Sequence, residues 1–358
     1  MTLETLGWNS FFQNQFHHSN YFNPNFSVAR VSVQYINRYD LYSELGEISG
    51  EITGKLRFLA EENSAELPAV GDWVIIQSFP EEQKAVIHAV LERKSKFTRK
   101  SAGSELTEQI VASNVDTVFI VTGLDQNYNL RRIERYLLAA WNSGSQPVVV
   151  LNKSDLCNDL PSKISEVESV AIGVPVFAVN TIDRIGLDKL QQFIRQGETV
   201  AFLGSSGVGK SSLINKLIGE DKLNTGSVSI SNSKGKHTTT HRELILLPNG
   251  GLVIDTPGMR ELQLWEDESG LSTTFEDIID LMAKCKFSNC QHQNENGCAV
   301  NEALENKTLD SSRYHNFLKM QKELNYIERK TNKAAAAAEK EKWKKIHSNM
   351  KKHPKYNR

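Results

Sequence analysis

Eight consecutive residues, Gly204, Ser205, Ser206, Gly207, Val208, Gly209, Lys210 and Ser211, fit the pattern G-x-x-x-x-G-K-[ST], with Ser212 next. Glycines at these positions let backbone N–H groups approach an anion, a lysine brings charge to the β- and γ-phosphates, and a serine hydroxyl can ligate Mg²⁺. Asn152, Lys153, Ser154 and Asp155 close the apolar run PVVVL. A carboxylate at Asp155 can accept two hydrogen bonds from the N1–H and N2–H₂ edge of guanine, while Asn152 meets the opposite edge. Adenine offers no such donor pair and would leave the carboxylate unpaired. A third motif, DTPG, runs from Asp255 to Gly258. There Asp255 would hold Mg²⁺ through water, and the Gly258 amide would report the γ-phosphate. Between the second and third motifs lies GKHTTTH, where Thr239 or Thr240 can reach the metal; Thr240 is taken with Ser211 as the magnesium pair. Its Gly/Ser/Lys/Asn-rich approach suits a segment ordered by the γ-phosphate.

A second constellation is Cys285, Cys290, His292 and Cys298, spaced C-x4-C-x-H-x5-C. Three thiolates and an imidazole can complete a closed tetrahedral shell around Zn²⁺, the arrangement of structural sites. The remaining cysteine of the four is Cys157. With no basic and apolar leader at the N-terminus, a reducing, cytoplasmic setting is expected, where clustered thiols favour metal over disulfide. No run approaches the roughly 18 apolar residues of a membrane span.

These residues need elements to carry them. VDTVFIVTG, QPVVVLNKSD, VPVFAVN and ETVAFLGSS are apolar, β-branched runs separated by helical patterns such as NLRRIERYLLAAWNSG, which Gly144 stops. That rhythm belongs to a parallel α/β sheet. RELILLP and GGLVIDTPG add two strands after the phosphate loop. Upstream, ARVSVQYI, GEISGEITGKLRF, GDWVIIQ and AVIHAVLERK predict short strands of an antiparallel barrel of the OB type, or of a generic β-domain. The chain is thus expected to be a multidomain α/β protein. A mobile N-terminal arm would span residues 1–28, the OB-fold barrel 29–105, the P-loop α/β domain 106–270, a helical zinc-binding domain 271–330, and a basic helical or disordered tail 331–358.

Of the 358 residues, 39% are hydrophobic and 24% charged, which argues against fibrous or wholly disordered classes. The formal net charge of −1 hides an asymmetry: from Arg313 onward there are 14 Lys/Arg against 4 Asp/Glu, leaving 28 against 39 before it. A basic tail on an acidic body points to a polyanion or to a solvated helical face. Arg93, Lys94, Lys96, Arg99 and Lys100 form a further basic run at the end of the barrel.

In Ras-like GTPases the base-reading motif follows the phosphate loop; in this chain NKSD comes first, so the motifs are circularly permuted. Such rearrangement is permitted because domain termini commonly lie close together. NKSD, GSSGVGKS, HTTT and DTPG, followed by the Cys/His cluster and preceded by a GDW-containing β-domain, resemble the ribosome small-subunit-dependent GTPase A family over roughly residues 29–320. The resemblance implies an OB-fold, a permuted G domain and a zinc domain, with GTP and GDP as ligands. It further implies late maturation of the small ribosomal subunit, contact with its rRNA, and GTPase activity stimulated by that subunit. VNT at Val179 to Thr181 stands where the family carries a Ser-Ala base-support pair. Met259 follows Gly258 where Ras-like enzymes place a water-orienting glutamine, and a thioether cannot orient water. By resemblance a switch I histidine substitutes, His237 first and His241 second. A monomer is expected. A GTP-dependent scaffold for a protein partner, or a P-loop kinase or ATPase, are the competing classes.

Overall fold

The structure, a computed structural model, describes residues 1–100, 108–219, 242–255, 269–293 and 295–331. They fall into two compact units, one running to the end of the nucleotide-binding sheet and the other comprising the helices that follow.

The N-terminal residues, read from composition as a mobile arm, are instead packed. Asn9 caps helix α1 (Ser10–His17) by accepting from the Phe11 amide. Leu6, Trp8 and Phe12 are buried, and the Trp8 ring meets Trp73 edge-on at 4.8 Å. Aromatic rings bury large apolar areas, and that outweighs the disorder-prone asparagines between them.

Five strands then close a barrel: β1 (Ser27–Gln34), β2 (Tyr39–Ser43), β3 (Gly46–Ile52), β4 (Trp73–Phe79) and β5 (Lys84–Val90). Their order is β1-β2-β3-β5-β4, and pairing of β1 with β4 closes the circle. This is the OB-type Greek key. Alternate residues Ala29, Val31, Leu41, Val74, Ile76 and Ile87 fill it. The stretch GEISGEITGKLRF, read as one β-run, changes type at Thr53, whose hydroxyl accepts from Leu56 N and starts α2 (Gly54–Glu62). A hairpin of β6 (Lys96–Lys100) and β7 (Glu108–Ser113) follows.

The second sheet has the order β10-β9-β8-β11-β13-β12, built from β8 (Thr117–Gly123), β9 (Gln146–Asn152), β10 (Val176–Ala178), β11 (Thr199–Leu203), β12 (Glu243–Leu246) and β13 (Leu252–Asp255). Every neighbouring pair is parallel except β12 with β13. Helices α3 (Leu130–Ser143), α4 (Leu160–Glu168), α5 (Leu187–Gln191) and α6 (Lys210–Ile218) supply the connections. Asn129 caps α3 by accepting from Arg132 N, and Gly144 ends it at φ 84°, the left-handed geometry that favours glycine. The β8 strand is buried at every position, as a central parallel strand must be.

Barrel and sheet join in two ways. Val33 of β1 pairs with Glu243 of β12, making one continuous sheet. Nearby, Arg30 is 2% exposed, and its guanidinium donates to the carbonyls of Leu6, Gly71 (3.2 Å) and Asn114 (3.2 Å) and to the Thr199 hydroxyl (2.8 Å). Burial pushes its pKa down to about 10, opposed by Asp116 and Asp72. A buried cation is tolerable only with its donors satisfied, and these acceptors come from four separate stretches of chain.

The second unit holds α7 (Ser269–Thr274), α8 (Glu276–Ala283), α9 (Ala299–Glu305) and α10 (Ser311–Thr331). Arg313 fixes α10 to α8 through Asp277 (2.9 and 2.7 Å) and to the Thr274 carbonyl (3.0 Å), with Phe275 and Phe317 packed edge to face.

Candidate nucleotide site and metal centre

The phosphate loop leaves the end of β11 and enters α6 at Gly209, so the amides of the first turn of α6 point toward the loop. Two of its glycines are sterically fixed. A Cβ on Gly204 (φ 151°) would sit 2.3 Å from the Val121 carbonyl, and one on Gly209 (φ 96°) would sit 2.3 Å from Asn152 Nδ2. Lys210 Nζ donates to the Gly204 and Ser205 carbonyls at 2.7 Å, holding the ammonium over the loop.

The NKSD segment is fastened to this loop. Asn152, 2% exposed, donates through Nδ2 to the Val208 carbonyl at 2.8 Å. Lys153, held at φ 60°, reaches the Gly207 carbonyl at 2.7 Å. These two bonds bring together motifs separated by more than fifty residues. Asp155 lies in the one-turn helix Ser154–Leu156, and its side chain is exposed. Thr181 donates to Asn152 Oδ1 at 2.5 Å, and Ser154 N donates to the Val179 carbonyl at 3.1 Å. The VNT segment therefore backs the motif from the strand end where the Ser-Ala pair was expected.

Two further residues escaped the sequence reading. Asp125 accepts from Lys153 Nζ at 2.6 Å. Desolvation raises the Asp125 pKa, but the Lys153 bond and the Asn127 amide outweigh it and hold the carboxyl below its usual range. Arg132 of α3 donates to the Ser205 hydroxyl at 3.2 Å and to the Asn127 carbonyl at 3.3 Å. Neither belongs to a short motif; only the abrupt end of the β8 run before Leu124 hinted at a functional turn.

Asp255 ends β13, which lies parallel to β11 with Ala201 opposite Ile254. Ser211 lies in the first turn of α6, so it and Asp255 lie at the same end of the sheet, with the hard-ligand chemistry Mg²⁺ prefers. Thr239, Thr240, His237, His241, Gly258 and Met259 lie outside the described residues, as does the tail beyond Thr331.

In the second unit the ligand atoms of Cys285, Cys290, His292 and Cys298 all lie within 4.8 Å of one another. His292 Nδ1 is 3.5 Å from the sulfurs of Cys285 and Cys298, and those sulfurs are 4.0 Å apart. With Zn–S of about 2.3 Å, a tetrahedron has edges of roughly 3.8 Å, so the cluster fits zinc. His292 reaches inward by adopting φ 58°.

Comparison with known proteins agrees with this geometry. A family model described as RsgA GTPase matches residues 90–265. A protein of Opitutus terrae named small ribosomal subunit biogenesis GTPase RsgA is 47% identical over 97% of this chain and 96% of its own. The chain belongs to the RsgA GTPase family. A second relative, RsgA 1 of Oceanobacillus iheyensis, is 47% identical over 91% of this chain and 93% of its own. The crystal structure of YjeQ from Thermotoga maritima superposes with a TM-score of 0.63 at 30% identity, covering 84% of this chain and 98% of that one. YloQ, described as a circularly permuted GTPase, gives 0.59 at 25% identity, covering 86% and 97%. As an RsgA-family protein, the chain is a GTP-hydrolysing enzyme. An ABC transporter model also matches residues 187–353. That span contains the phosphate loop but omits Asn152 to Asp155, and no helix among the described residues is long and apolar enough to cross a membrane.

The basic run divides on inspection. Arg93 is fixed by Asp72 at 2.6 Å and by the Ala65 and Leu67 carbonyls. Lys94 lies over the Phe11 and Phe12 rings. Arg93 therefore braces the barrel; Lys94 and Lys96 are exposed, and Arg99 bonds Gln109 at 2.9 Å.

Proposed function

We propose that this protein is a ribosome biogenesis factor that binds the small ribosomal subunit and its rRNA, acts late in that subunit's maturation, and hydrolyses GTP faster when bound to it. The observation that carries the reading is near-full-length similarity to proteins named for small-subunit biogenesis. The division into barrel (29–105), permuted G domain (106–270), zinc domain (271–330) and basic tail (331–358) belongs to the same proposal, as does a cytoplasmic monomer.

In this scheme Asp155 reads the guanine edge, Asn152 and Lys153 couple base recognition to the phosphate loop, and residues Gly204 to Ser212 cradle the phosphates. Lys210 supplies charge at the β- and γ-phosphates. Ser211 and Thr240 would hold Mg²⁺ with GTP, Asp255 would reach it through water, and the ion would offset charge on the phosphate oxygens. Thr239 is the alternative to Thr240 at the metal, the Gly258 amide would report the γ-phosphate, and His237, with His241 second, would orient the attacking water. Cys285, Cys290, His292 and Cys298 would hold one structural zinc.

The direct test is GTP turnover with and without purified small subunits, paired with co-sedimentation in a GTP analogue and in GDP. Stimulated turnover and tighter binding in the analogue are expected. Equal turnover in both conditions would overturn the proposed stimulation. His237→Ala should remove the stimulation while leaving GTP affinity intact.

A further inference from the structure

Arg131 and Arg132 both fall in the first turn of α3, at the helix end whose dipole repels cations. Arg131 is compensated, since it pairs at 2.5 Å with Glu134, which is fully buried. Arg132 is not. It is half-buried, its Nη1 donates to the Asn127 carbonyl at 3.3 Å and to the Ser205 hydroxyl at 3.2 Å, and among the described residues no carboxylate pairs with it.

The turn after β8 holds this side chain in place. Leu124 N donates to the Asn152 carbonyl at 2.9 Å, the Asn127 amide donates to Asp125 Oδ1 at 2.8 Å, and Asn129 Oδ1 accepts from Arg132 N at 3.1 Å. The turn that anchors Lys153 through Asp125 thus also sets the backbone of Arg132. Ser205 receives a second cation as well, because its carbonyl accepts from Lys210 Nζ at 2.7 Å. A guanidinium and an ammonium therefore converge on the hydroxyl and the carbonyl of one phosphate-loop residue. Bringing like charges together costs Coulomb energy that an incoming anion recovers, and recovers more fully the more charge it carries.

We propose that Arg132 is a positioning residue for the nucleotide's phosphates: acting through Ser205, it fixes the start of the phosphate loop and biases the site toward the triphosphate over the diphosphate. The proposal rests on the nucleotide-site reading above and adds to it a cation that lies outside the four sequence motifs, supplied by a helix rather than by the loop. Both side-chain bonds leave one nitrogen, so the position needs a charged donor more than a planar fork.

The test uses the full chain with a fluorescent imido analogue of GTP, fluorescent GDP and, by competition, guanosine. Binding is titrated for wild type, R132Q, R132K, S205A, the R132Q/S205A double variant and D155N. R132Q should weaken the triphosphate analogue about tenfold and GDP about threefold, with guanosine unchanged. R132K should restore most of the triphosphate preference. S205A should lower that preference about as far as R132Q does, and the double variant should be no weaker than R132Q alone, because the arginine acts through that hydroxyl. Melting of the nucleotide-free protein separates this from a purely structural role: R132Q should melt no lower than wild type, since it removes a cation from a helix N-terminus. A lowered melting temperature with an unchanged ratio of triphosphate to diphosphate affinity would make Arg132 a brace for α3 and overturn the proposal. Losses that multiply in the double variant would overturn it too. Should R132Q not fold, an unchanged ratio in S205A decides against it equally. D155N guards the underlying reading. If D155N binds guanine nucleotides like wild type, the nucleotide-site reading fails; if it weakens them while R132Q and S205A keep the wild-type ratio, only the role of Arg132 falls.

Discussion

Asp155 is exposed at the mouth of a site whose neighbours are already committed: Asn152 to Val208, Lys153 to Gly207 and Asp125. In the proposed scheme, exchanging it for asparagine replaces one acceptor of the guanine pair with a donor. Asp155→Asn should therefore weaken GTP at least tenfold, about 1.4 kcal/mol, in nucleotide titrations, with little change in melting temperature. Asp125 gives a pH test. Its folded pKa lies below the ordinary carboxylate value, so its contribution is complete above that value and is lost as pH falls through the depressed folded pKa. Folding stability should decline on acidification through that range in denaturant unfolding, and the part of the decline due to Asp125 should vanish in Asp125→Asn. Gly209→Ala would force a Cβ against Asn152 Nδ2 in a left-handed backbone, and should abolish measurable nucleotide binding. The phosphate and base motifs were legible in the sequence because each is contiguous and chemically constrained. Asp125 and Arg132 were not, because their partners lie 28 and 73 positions away and only the fold supplies the proximity.

Strands and helices with one strong local signal were readable: β8 from its unbroken apolar run, α3 from Asn129 to Gly144. Errors arose where tertiary packing outweighed composition. The Asn-rich N-terminus folds because Leu6, Trp8 and Phe12 share a face against Trp73, and the β-run ending in GKLRF turns helical because Thr53 caps it. Truncating the central ring tests this: Trp8→Ala should lower stability by about 3 kcal/mol in denaturant unfolding and expose residues 1–20 to protease. Wild-type resistance there combined with an unchanged midpoint in the variant would show that the segment contributes nothing to the core.

At the scale of the whole molecule, the Cys/His cluster occupies the connection between the short helices α8 and α9, with Cys298 capping α9, a placement in which a bound metal would add stability. Chelation at neutral pH should reduce the helical circular-dichroism signal and release close to one equivalent of zinc, while Asp155-dependent GTP binding persists. Loss of GTP affinity on chelation would show that the metal supports the nucleotide site as well. Permutation itself was visible from motif order, but the seam between barrel and sheet was not, since it joins a strand pairing between residues 33 and 243 to a buried arginine in an unremarkable β-run. That seam limits how the gene can be cut. A fragment ending near residue 105 would retain Arg30 with the Leu6 and Gly71 carbonyls but without Asn114 or Thr199, leaving a charged group in an apolar interior with half its acceptors missing. Expressed alone, such a piece should be poorly soluble, and the Arg30→Met version should be the more tractable of the two.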